Sequence, residues 1–142
     1  MNVKAQKFSD FLKENNLQMF TEQEVQGEMN PVVYRAFMEV GGQNLPSMLV
    51  IDDSIYVMLQ VRVAAGVVKE SNKEAVMALL NKMNGQYKVF KYYVDEEGSI
   101  ILESCMPTTD NEFVPGLVHA VMDVVVRHLN ECNAEIMKTV WA

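Results

Sequence analysis

His119 and His128 are the only imidazoles in the chain and the first side chains to weigh for chemistry. Both fall in a long helical pattern, where their nine-residue separation, at about 100° per residue, turns them about 180° apart. One metal ion in one chain cannot take both, and neither a Cys-x-x-Cys nor a His-Glu-x-x-His spacing occurs. His119 is followed one turn later by Asp123 and a further turn on by Arg127, the pattern of a solvated ion-pair ladder. His128 falls by angle within an apolar stripe. That predicts a core-edge or interface histidine with a hydrogen-bond partner, with pH sensing as the functional alternative.

The other reactive groups are equally sparse. No Gly-x-Ser-x-Gly elbow occurs, and no local signature pairs a cysteine with a histidine. Gly41, Gly42 and Gln43 lack the Lys-Ser/Thr ending of a phosphate loop and read as a turn. Asp52 with Asp53, and Asp95 with Glu96 and Glu97, cluster at strand turns as solvated charge. Cys105 and Cys132 read as reduced thiols, mostly buried. The eleven methionines read first as gap fillers in the core, and second as an adaptable binding surface. These residues predict a non-enzymatic protein with no catalytic, cofactor or metal site.

Twelve basic against nineteen acidic side chains leave a net charge of −7, which repels a phosphate backbone, so nucleic acid is not expected as a partner. The chain opens without a charged and then apolar leader, and no apolar run approaches the roughly 18 to 20 residues that span a bilayer. A soluble cytoplasmic protein without a membrane partner is expected. At 142 residues and 49% hydrophobic content, one domain with a real core is predicted.

Hydrophobic periodicity supplies the elements that must position any site. Residues 3 to 15 predict a short amphipathic helix through Phe8, Phe11 and Leu12, ended by Asn15 and Asn16. The polar stretch 18 to 30 reads as a loop or a weak edge strand. Strands follow from alternation over Val32–Val40, Ser47–Asp52 and Ile55–Val63, with Gly41-Gly42 and Asp52-Asp53-Ser54 as turns. Ser71 with Glu74 matches a capping box that would start a second helix, closed by Asn84 and Gly85. Lys88–Val94 and Ser99–Met106 form a hairpin around Asp95–Gly98.

Asn111 to Lys138 is the longest helical pattern, introduced by Thr109 and Glu112 at capping-box spacing and tolerating Pro115 in its first turn. Its apolar stripe collects Val114, Leu117, Val118, Val121, Val124, Val125, Leu129, Cys132 and Ile136. The reading is α+β: an antiparallel five-stranded sheet with helices on one face, in the order α-β-β-β-α-β-β-α.

Such a sheet keeps one face free. If Ile55, Val57, Leu59 and Val61 turn toward the helices, then Tyr56, Met58, Gln60 and Arg62 turn away, joined by Arg35, Phe37 and Glu39 and by Lys91 and Tyr93. Aromatic, Met and Arg side chains are the mixture favoured at protein interfaces. Phe37, Tyr56, Met58, Arg62 and Tyr93 are therefore the candidate partner-binding residues, with the long helix as the alternative surface for a partner. The other class of function is a small-ligand sensor or enzyme with a pocket between helices and sheet.

The segment Leu79-Leu80-Asn81-Lys82-Met83-Asn84, followed by Phe90, Tyr92, Asp95, Gly98, Ile100, Leu102 and Glu103, resembles the YbjN-type family of suggested bacterial sensory-transduction regulators. That family has an Asn-x-aromatic-Asn motif at the end of its middle helix. Asn81 and Asn84 match it, whereas Met83 stands where Trp is usual. The resemblance implies a type III secretion chaperone-like fold, and with it a small, acidic, non-enzymatic homodimer that binds a protein or peptide client. It implies no catalytic residue. Asn81 and Asn84 themselves read as structural, capping the second helix and bonding the loop after it.

Overall fold

In the computed structural model, which describes residues 1–142, the alternating stretches form an antiparallel sheet and the 3.6-period stretches form helices. The elements are α1 (Val3–Glu14), β1 (Thr21–Glu24), β2 (Val32–Val40), β3 (Gln43–Ile51), β4 (Tyr56–Ala64), α2 (Lys73–Gln86), β5 (Lys91–Val94), β6 (Ile100–Pro107) and α3 (Pro115–Val140). The strands lie in the order β1-β2-β3-β4-β6-β5. The sheet thus has six strands where five were expected, and a fourth strand precedes α2. β1 is exposed at all four positions, so it carries no apolar alternation and is defined only by its pairing with β2.

Alternation puts Tyr34, Leu49, Leu59, Val61, Ile100 and Leu102 on one face, where they meet Phe8 of α1, Val76, Leu80 and Met83 of α2, and Val125, Leu129 and Ile136 of α3. Burying each such side chain contributes about 1.5–3 kcal/mol. Phe8 stands edge-on to Tyr34 at 4.9 Å, and the Tyr34 hydroxyl donates to the Ala5 carbonyl at 2.9 Å. Burial pushes the Tyr34 phenol up to about 12. At the start of α1, Asn2 accepts the Ala5 N–H as an N-cap and donates through Nδ2 to the carbonyls of Asn30 and Ile51.

Several boundaries differ from expectation for identifiable reasons. Ile55 lies outside β4 and is exposed, so the buried run begins at Val57. β3 starts at Gln43 and includes Pro46, which is tolerated because pairing with β4 begins only at Ser47. The Ser71 box does not form. Asn72 precedes α2 and turns its side chain away from the helix, accepting from Lys69 and donating to the carbonyls of Val67 and Val140. Glu112 does donate its N–H to Thr109 Oγ1, but α3 waits until Pro115 because the residue before a proline is held extended, as Val114 is at φ −117° and ψ 101°.

The buried face of α3 is also rotated from the expected stripe. Val118, Met122, Val125, His128, Leu129, Ile136 and Val140 are buried, whereas Val114, Leu117 and Val124 are exposed. No helix is long and apolar enough to cross a membrane.

Candidate functional site

All three helices pack on one side of the sheet, and the reverse is left open. The register orders that open face into rows. Arg35 lies opposite Met48, Met48 opposite Gln60, Gln60 opposite Glu103, and Glu103 opposite Lys91. In the next row Phe37 lies opposite Pro46, the Ser47↔Val61 register brings Pro46 level with Arg62, and Arg62 lies opposite Ile101, itself opposite Tyr93. On the other side of the Arg35 row, Val50 pairs with Met58 and Met58 with Cys105.

The five expected partner-binding residues therefore share one face, but in two groups. Phe37, Arg62 and Tyr93 stand in one row. Tyr56 and Met58 lie toward the opposite end of β4, with Tyr56 opposite Pro107 and six residues, about 20 Å, from Arg62. Phe37 is 71% exposed and Tyr56 50%, while Met58 and Tyr93 are half-buried between neighbouring strands. Cys105, expected to be buried, is an exposed thiol opposite Met58, because alternation along β6 turns it to the open face while Ser104 beside it is buried.

Polar contacts make one part of this face rigid. The Tyr93 hydroxyl donates to Glu103 at 3.0 Å, Gln60 Nε2 donates to the Tyr93 oxygen at 3.0 Å, and Lys91 pairs with Glu103 at 3.7 Å. Burial and the Glu103 carboxylate both raise the Tyr93 phenol above its ordinary value. Asp95 accepts the N–H groups of Glu97 and Ser99 in the β5–β6 turn. Arg62 is exposed and forms no ion pair within the chain. Arg35 donates only to Gln23 Oε1, at 2.7 Å.

Away from the sheet face, an apolar groove of about 560 Å³ lies between the start of α3 and the end of β6, lined by Val89, Met106, Phe113, Val114, Leu117 and Val121. His128 occupies an aromatic box, its ring 4.4 Å from those of Tyr87 and Phe90 and its Nε2 2.6 Å from the Tyr92 hydroxyl. The expectation of a partnered core histidine holds, although its Nδ1 has no partner. Sequence periodicity found the residue but not its box, which the stretch from Tyr87 to Tyr92 supplies from elsewhere in the chain. His119 pairs with Asp123 at 3.8 Å, and Arg127 does not extend the ladder. No group of three or more His, Cys, Asp or Glu side chains is placed to hold a metal.

Asn84 lies inside α2, which Tyr87 closes, and its side chain bonds the backbone of Tyr92 in β5 and not the loop after the helix. Asn81 is exposed and makes no side-chain hydrogen bond.

Fold and face together define a two-layer α+β protein whose sheet is covered by helices on one side only. Residues 9–136 match the family model YbjN, described as "Putative bacterial sensory transduction regulator". The match spans most of the chain, and the protein belongs to the YbjN family. No curated protein matches the sequence.

Proposed function

We propose that this protein is a non-enzymatic regulatory module that acts in the cytoplasm as a homodimer and binds a protein or peptide client through the open sheet face. The observation that carries the reading is the segregation of the molecule. Every helix lies on one side, and the other side presents Phe37 and Tyr56 in the open, with Arg62 and Tyr93 in the row of Phe37 and Met58 beside Tyr56. Aromatic, Met and Arg side chains on a free, rigid surface suit a protein partner better than bulk solvent. The reading takes the resemblance to type III secretion chaperones, which bind extended client segments, as its guide, and the negative charge and small size agree with it. A second copy has its own place: Leu117, Val121 and Val124 recur at the four-three spacing of a helix-pairing seam on α3, with Val114 exposed just before it.

Photo-crosslinkable residues placed at Phe37 and Met58, and at Lys82 on α2 as a control, test the client surface in the native host. Crosslinks to another protein from the first two sites and none from the third are expected; the reverse pattern would refute the face. Light scattering should show a dimer that Leu117→Glu converts to a monomer. A second reading, an apolar small-ligand sensor, is favoured only by the α3 groove, whose volume falls in the range of small-molecule sites.

A further inference from the structure

Two arginines gather on the open sheet face of a molecule whose net charge is −7. Arg35 and Arg62 line one shallow concavity of about 310 Å³ together with Pro46, Ser47, Met48 and Gln60, and Asp95 stands at its side. Neither guanidinium forms an ion pair. Of the acidic groups around them, only Asp95 lines the concavity, where it accepts two N–H groups of its own turn; Glu103 is held by Lys91 and Tyr93, and Glu39 stands beyond Phe37 where β2 ends. In a chain of net charge −7, two arginines against one carboxylate leave this concavity with an excess of one positive charge.

From this juxtaposition we infer that the client segment is acidic: an extended stretch with a carboxylate side chain seated between Arg35 and Arg62 and apolar neighbours on Phe37 and Met58. The inference rests on the sheet-face reading above and adds the chemistry of the partner.

Three physical points lead to a peptide carboxylate. A guanidinium offers planar paired donors that match a carboxylate, and such charge-assisted bonds are about twice as strong as neutral ones. An extended strand places alternate side chains on one face about 7 Å apart, close to the spacing of successive rows on the sheet. A polyanion such as nucleic acid meets the same arginines but is repelled by the surrounding negative charge.

The test uses the full chain and a fluorescein-labelled hexapeptide of alternating leucine and glutamate, compared with the same peptide carrying glutamine or lysine in place of glutamate. In anisotropy titrations at low salt the glutamate peptide should bind about tenfold or more tighter than the glutamine peptide, one decade being about 1.4 kcal/mol, and the lysine peptide weakest. The double variant Arg35→Gln, Arg62→Gln should erase the glutamate preference with its melting temperature unchanged, since both side chains are exposed. Arg127→Gln should leave the preference intact.

Equal binding of glutamate and glutamine peptides, a preference that survives the double variant, or no binding of the glutamate peptide up to about 1 mM would each overturn the acidic-segment inference. If sheet-face crosslinks persist beside such a result, the face stands and only its client chemistry is wrong. Loss of the crosslinks as well removes both.

Discussion

The carboxamide of Asn84 mimics a neighbouring strand for Tyr92: Nδ2 donates to the Tyr92 carbonyl at 3.1 Å, and Oδ1 accepts the Tyr92 N–H at 2.7 Å. β5 is an edge of the sheet, and the free backbone groups of an edge are a template for unwanted pairing. One side chain from α2 both fastens the helix to the strand and closes that edge. Asn84→Ala should cost about 1–3 kcal/mol, the penalty for leaving two partly buried backbone groups without partners. Asn81→Ala, at an exposed helix position, should stay within about 0.5 kcal/mol of the parent. Urea denaturation of the two variants gives the comparison, and equal losses would contradict the distinction.

His128 makes stability depend on pH. Burial among Tyr87, Phe90 and Tyr92 lowers its pKa below the usual 6.5, against a smaller opposing pull from Glu131. Between the lowered folded value and the unfolded value, the unfolded chain binds more protons. The His128 contribution is therefore complete above the unfolded pKa and is lost as pH falls through the folded one. Melting temperatures measured downward from pH 7.5 should decline through this window, and His128→Gln should flatten that part of the curve. A parallel decline in the variant would assign the effect to other groups.

Lys4 is fully buried without an acidic partner. Its ammonium donates to the carbonyls of Ser54 and, at 3.4 Å, Tyr56, joining α1 to the turn between β3 and β4. Lys4→Met keeps most of the aliphatic stem and removes the donors. It should destabilise by about 1–3 kcal/mol and speed amide exchange in residues 52–56. An unchanged exchange rate in that turn would mean that the ammonium does not hold it.

Gly98 combines a left-handed backbone, φ +79°, with close packing: a Cβ there would lie 2.7 Å from the Val68 carbonyl oxygen. Val68 also donates its N–H to the Gly98 carbonyl, so the two segments cannot part without losing that bond. Gly98→Ala should lower stability by more than the roughly 1 kcal/mol of backbone strain alone. Gly41→Ala, also left-handed but with open space around it, should cost only the strain. Thermal melts of both should rank them in that order.

Much of this molecule is legible in the chain. Val32–Val40 is a strand with the bounds its alternation predicts, and the β5–β6 hairpin turns on Asp95 and Gly98 as expected. Phe37, Tyr56, Met58, Arg62 and Tyr93 could be placed on one face because a period of two leaves no other choice once the opposite residues are buried. β1 was not legible as more than a loop or a weak edge strand, since four exposed polar residues carry no periodic signal. The Ser71 box failed for a different reason: local spacing says that a cap is possible, but Asn72 is drawn away by Val67 and the distant Val140.

The sequence by itself determined which segments alternate, where they turn and which side of each strand is apolar, because these depend on neighbours within a few residues. The tertiary structure alone decided that the α3 stripe is only partly covered, that His128 sits in an aromatic box, and that Glu103 and Asp95 are engaged while Arg62 is left free. Each of those depends on what a segment far away in the chain brings to the same place. Burial and charge pairing are settled by that arrival, whereas alternation is already written in the local order of residues.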